Sequence, residues 1–203
     1  MVLTDKQIRN YVENYKEYNM ENALVEGYIE ERLQSESYDL SITDQIMIPK
    51  KEIKCISLED QDAVDNMYEK KRMENGEYII SPKEYMLTTV AEKINLPDFL
   101  TAHIRPRTRF TRLGLIVSDQ HCNSTYSGNL NLGIFNATEY PIKIKAGIRV
   151  AQIVFEELKG IPSEHKLYKN KENAAYQNET GDRGANFEKE VDDLVKRVLS
   201  REV

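Results

Sequence analysis

The chain has 203 residues, 40% of them hydrophobic and 31% charged, with 28 Lys plus Arg against 34 Asp plus Glu for a formal charge of −6. This is the profile of one water-soluble domain, long enough to bury a core without metals or disulfides. Apolar runs of only a few residues exclude a membrane-spanning helix, the charged N-terminus is unlike a secretory signal, and the acidic balance argues against DNA as a partner.

In chain order, Thr4-Asp5-Lys6-Gln7 has the form of a capping box. Ile8, Tyr11, Val12 and Tyr15 then make one apolar stripe, which predicts an amphipathic helix. Residues 17–75 are polar and Glu-rich, with short apolar pieces such as Tyr38 to Ile42, and have no clear periodicity. The charged stretch 57–77 reads as a surface excursion or as a short helix around Asp60 to Arg72. From Glu77 the pattern becomes β. Runs at Tyr78–Ile80, Tyr85–Val90, Leu100–Ile104, Leu113–Val117, Leu130–Phe135, Ile142–Ile144 and Val150–Phe155 are separated by Gly, Pro, Ser and Asn. Short strands at close spacing predict an antiparallel sandwich or barrel. Phe187, Val191, Leu194, Val195, Val198 and Leu199 predict a C-terminal amphipathic helix that Asn186 caps. The expected division is a β domain over 1–181 and the terminal helix over 182–203.

Cysteine and histidine are scarce: Cys55, Cys122, His103, His121 and His165, with no two at zinc-finger spacing. No zinc site is expected, and two unpaired cysteines fit a reducing cytoplasm. Three polar clusters remain as site candidates. Residues 103–112 carry Arg105, Arg107, Arg109 and Arg112 in an acidic chain. Guanidinium forks concentrated against the net charge make an anion site. Residues 119–128, from Asp119 to Gly128, form a polar loop with one Tyr. Residues 168–184 form an Asn-rich, Gly-punctuated segment.

These residues resemble one family. Arg107 to Leu115, RTRFTRLGL, is similar to the R-S-S-L-A-R-L-G-L signature of dCTP deaminases. Tyr126-Ser127-Gly128 and the strand ending at Phe135-Asn136 resemble that family's W-S-G strand. Ala146 to Phe155 resembles the matching strand of the trimeric dUTPases, and LTDKQI and Tyr168 to Gly181 resemble the deaminase N-terminus and tail. The resemblance implies a mainly β fold, a distorted jelly-roll or barrel of the dCTP deaminase–dUTPase type. It also implies a homotrimer with nucleotide sites between subunits, a dCTP or dUTP class ligand, and magnesium carried with the triphosphate. It assigns nucleotide binding to Arg107, Thr108, Arg112, Asn123, Tyr126, Gln152 and Tyr168.

The chain departs from the family where chemistry is done. The Glu that serves as general base in the deaminases corresponds to Gly133, and a missing general base costs ~10²–10⁴-fold. The Asp that orients water in dUTPases corresponds to Asn123, whose amide cannot take a proton. The tail Lys and Gln correspond to Ala175 and Glu179, and a signature Ser to Arg109. Three readings follow. The first is a nucleotide-binding protein with impaired or repurposed chemistry. The second is an active deaminase or nucleotide hydrolase that uses another group such as His121 or Asp119. The third is a structural or protein-binding trimer.

Overall fold

The computed structural model describes residues 1–172, 174–181, 183–187 and 199–200. Helix α1 (Asp5–Glu13) begins as expected: the Thr4 N–H donates to Gln7 Oε1 at 3.0 Å, and Ile8 is buried in the core. Among the described residues thirteen strands follow, with two further short α-helices between them. They are β1 (Val25–Glu26), β2 (Tyr38–Pro49), helix α2 (Gln61–Asp65), β3 (Tyr68–Arg72), β4 (Glu77–Ile80), β5 (Tyr85–Val90) and β6 (Lys93–Asn95). Next come β7 (Leu100–Pro106), helix α3 (Thr108–Leu113), β8 (Leu115–Val117), β9 (Gln120–Cys122), β10 (Ser127–Gly128), β11 (Asn131–Asn136), β12 (Ile142–Lys145) and β13 (Arg149–Glu157).

The main sheet runs β8-β11-β5-β2-β13-β7-β9, with β3 also paired to β2. Every strand pairing is antiparallel, and the sheet curls into a half-barrel. Small sheets β1-β6-β10 and β4-β12 complete it. The mainly β expectation is met. Two boundaries differ from the sequence reading. The stretch Asp60 to Arg72 is not one helix: Asp60 caps only a short turn through its carboxylate, and Tyr68–Arg72 extends along β2. The run Leu113–Val117 is also divided, with Leu113 ending α3. Gly114 then turns the chain at φ +88, where a Cβ would lie 2.5 Å from Thr138 Cγ2.

Strand β2 is the organising element. Its first half pairs with β13 and its second with β5 and β3. Tyr38, Leu40, Ile42, Ile46 and Ile48 alternate into the core, yet Asp39 and Ser41 between them are buried as well, because this half of the strand is covered on both faces. Across the sheet, Ile153 faces Ile104 and Phe155 faces Ala102, all fully buried. On β5 and β11 the even-numbered residues Met86, Thr88, Leu132, Ile134 and Asn136 point into the core. Tyr85, Leu87, Asn131 and Gly133 therefore share the opposite face, and the candidate site is built there. The terminal helix expected from Phe187 to Leu199 falls mostly on residues outside the described set.

Candidate functional site

The residues singled out in the sequence gather in two places that share no lining residue. The first is a groove of about 370 Å³ lined by Arg107, Thr108, Arg109, Arg112 and Gln152. Arg107 caps α3, which places Thr108, Arg109 and Arg112 on one exposed turn beside Gln152 of β13. The anchor is Asp39, buried on β2, which accepts from Arg149 at 3.1 Å and pairs with Arg107 at 3.3 Å. Burial lowers the Arg107 pKa, Asp39 opposes this, and the neighbouring Arg109 and Arg149 lower it further. One carboxylate thus faces several guanidiniums, an excess of positive charge that an anion would balance. The Ser37 hydroxyl donates to Gln152 Oε1 at 3.3 Å and fixes that side chain at the groove's edge. Nothing in the sequence marked Asp39, because its partners lie more than sixty residues away.

The second place is a cavity of about 600 Å³ on the outer face of β5 and β11. Five tyrosines line it: Tyr68, Tyr85, Tyr126, Tyr168 and Tyr176. Asn123 and His121 of the 119–128 loop, and Glu179 and Arg183 of the tail, complete its polar wall. Tyr126 and Tyr168 meet at 6.0 Å between ring centroids. Three of the phenols serve the scaffold. Tyr126 donates to Glu179 at 2.8 Å, Tyr168 Oη accepts from the Tyr176 N–H at 3.1 Å, and Tyr176 Oη accepts from the Asn186 N–H at 3.2 Å. Glu179 is the one Asp or Glu among the described lining residues. Burial pushes its carboxyl up to about 7, against the lowering influence of the Tyr126 hydroxyl and Arg183. Cys122 is pushed up to about 12 by burial, which keeps it a thiol. Asp119 pairs with Arg105 at 3.3 Å on the surface and does not line the cavity, whereas His121 does.

The tail roofs the cavity. Thr89 of β5 hydrogen-bonds the Gly181 carbonyl, Asn131 donates to the Arg183 carbonyl at 3.1 Å, and Gln61 of α2 grips two backbone groups. Gln61 donates to the Ala185 carbonyl at 3.0 Å and accepts from the Phe187 N–H at 2.7 Å. The charged stretch 57–77 is therefore part of the site, with Tyr68 in the cavity wall and Gln61 holding the tail above it, and not a detached excursion.

Gly133 is buried on β11, opposite Leu87 of β5. Tyr85, two residues before Leu87, leans diagonally across the strand pair. A Cβ at position 133 would lie 2.4 Å from Tyr85 Oη and 2.8 Å from Cε2. The phenol thus fills the space where a side chain on residue 133 would stand.

The curled antiparallel β domain carries a basic groove and an aromatic cavity, and its relatives give the family. The model of the dCTP deaminase-like family matches residues 2–158. A Sulfurihydrogenibium protein named dCTP deaminase, dUMP-forming, is 34% identical over 160 residues, covering 78% of this chain and 84% of the relative. A protein of the same name from Methanosphaera stadtmanae is 30% identical over 201 residues, 94% of this chain and 96% of the relative. In structure the chain is similar to dCTP deaminase from Agrobacterium tumefaciens, with a TM-score of 0.61 and 16% identity over 81% of this chain and 50% of that one. This chain belongs to the dCTP deaminase-like family.

Proposed function

We propose that the chain binds a deoxynucleoside triphosphate of the dCTP or dUTP class and does not deaminate it, serving to sense, sequester or regulate with that nucleotide. The observation that carries this reading is the Gly133–Tyr85 pair. A general base is absent from β11, and a phenol fills its place. A neutral phenol cannot take a proton from water as a carboxylate does, and the Tyr85 pKa is raised further by burial.

The binding parts are supported by the two places described above. Arg107, Thr108 and Arg112, with Gln152 beside them, suit phosphate oxygens. Asn123, Tyr126 and Tyr168 line a cavity suited to a base and sugar. Because groove and cavity are separate on one chain, the full site in this reading forms between copies in a homotrimer. The exposed Leu113 and Ile116 beside the groove suit burial in such an assembly. Magnesium arrives on the triphosphate. Among the described residues no three of His, Cys, Asp or Glu converge to hold a metal, and a triphosphate-borne magnesium is held mainly by phosphate and water oxygens. No helix among the described residues is long and apolar enough to cross a membrane, and a cytoplasmic place fits this reading.

A second reading is an active deaminase, and one observation favours it: Glu179, a carboxyl near pH 7 in the cavity wall, has the pKa of a good general base. Thermal unfolding with a panel of deoxy- and ribonucleotides plus magnesium tests the shared premise. A nucleotide at 100 times its Kd adds ~2.7 kcal/mol to stability. No shift with any nucleotide overturns the proposal.

A further inference from the structure

The five cavity tyrosines divide into two sets. Tyr126 donates its hydroxyl to Glu179, while Tyr168 and Tyr176 accept backbone N–H groups of the tail through their phenol oxygens, which pins those two rings to the roof. The hydroxyls of Tyr68 and Tyr85 make no hydrogen bond among the described residues, although both rings line the cavity. Tyr68 lies on β3, inside the charged stretch, and is half-buried; Tyr85 lies on β5, where Gly133 leaves it room. Neither hydroxyl is a buried unsatisfied group among the described residues, and Tyr85 is 37% exposed, so both can donate to a ligand in the cavity in exchange for water.

We infer that Tyr68 and Tyr85 are the cavity's specificity-determining donors, which hydrogen-bond acceptor atoms on the ring of a bound nucleobase. This rests on the proposed nucleotide site and extends it, because it makes the charged stretch a direct contributor to recognition. The chemistry fits a planar ring carrying carbonyl oxygens. Neutral phenols donate to such oxygens, and their rings add apolar contact to the base. The absence of a side chain on Gly133 is then a requirement, for any Cβ there displaces the Tyr85 hydroxyl. Asn123, whose side chain also lines the cavity, supplies an amide beside them.

Tyr68→Phe and Tyr85→Phe in the full chain test the inference, since each removes one hydroxyl and keeps the ring. Titration calorimetry with dCTP, dUTP and dTTP in magnesium gives the affinities, and tripolyphosphate, which has no ring, serves as the control. Each variant is expected to bind at least one of the three nucleotides roughly 2- to 13-fold more weakly than the wild-type chain, the range of one neutral hydrogen bond. Tripolyphosphate affinity and the melting temperature of the unliganded chain are expected to stay unchanged. Unchanged affinity for all three nucleotides in both variants overturns the inference while leaving the nucleotide site intact. An equal fall for tripolyphosphate overturns it as well, by showing a general disturbance. If the wild-type chain binds none of the nucleotides, the proposed site itself fails and this inference with it.

Discussion

At the scale of single residues, the proposed loss of deaminase chemistry turns on position 133. Restoring a carboxylate with Gly133→Glu places a Cβ against the Tyr85 hydroxyl and ring, so the new side chain must push the phenol aside. The single variant is expected to show no dCTP deamination by chromatography and to unfold at a lower temperature than the wild-type chain. A second residue sets a pH response. Glu179 binds its proton more tightly in the folded chain, at about 7, than its ordinary 4.5. The stability linked to that proton is therefore complete below about pH 4.5 and is lost as pH rises through about 7. Glu179→Gln removes the titration. The melting temperature of the wild-type chain is expected to fall relative to this variant between pH 4.5 and 7, by roughly 2–4 °C per kcal/mol of linked stability. A parallel course of the two curves refutes the assignment.

At the scale of elements, the tail is held by close fit. Gly181 sits at φ +101, and a Cβ there would lie 2.0 Å from Thr89 Cγ2. Gly181→Ala is expected to lift Gly181 from β5 and loosen residues 183–187 behind it, at a cost of about 1–3 kcal/mol. Limited trypsin digestion then cuts sooner after Arg183, whose carbonyl Asn131 now holds. The elements also show what could be read in advance. Strands β5, β7, β11, β12 and β13 announced themselves because alternation and turn residues are local signals. β2 did not, although it is central: Asp39 and Ser41 alternate with Tyr38, Leu40 and Ile42, but Thr43-Asp44-Gln45 breaks the pattern inside a polar, Glu-rich stretch. Asp39 and Ser41 are tolerable in the core only through partners outside the strand: Arg107 and Arg149 for Asp39, and buried Glu92 with Arg32 for Ser41. β3 was obscured by its charges, which suit a strand with an exposed face.

At the scale of the whole molecule, most residues that line the two candidate places were legible in the sequence and their grouping was not. Arg107, Thr108, Arg112 and Gln152 do converge, as do Asn123, Tyr126 and Tyr168, yet in two separate places. Spacing in sequence carries no information on which side of a sheet two loops will meet. Tyr68 and Tyr85 were missed because a tyrosine in a strand ordinarily signals only packing. The separation of groove and cavity is the reason a shared site is proposed between copies, and for the proposed homotrimer sedimentation equilibrium is expected to give three times the 23.6 kDa chain mass. A monomer mass would leave the two places apart. The most direct test of the central claim is incubation with dCTP and magnesium, followed by chromatography for dUTP and dUMP. Intact dCTP is expected, with any conversion at least ~10²-fold below an ordinary turnover of ~10 s⁻¹. Conversion at ordinary enzyme rates would contradict the account and move the general base to a group such as Glu179.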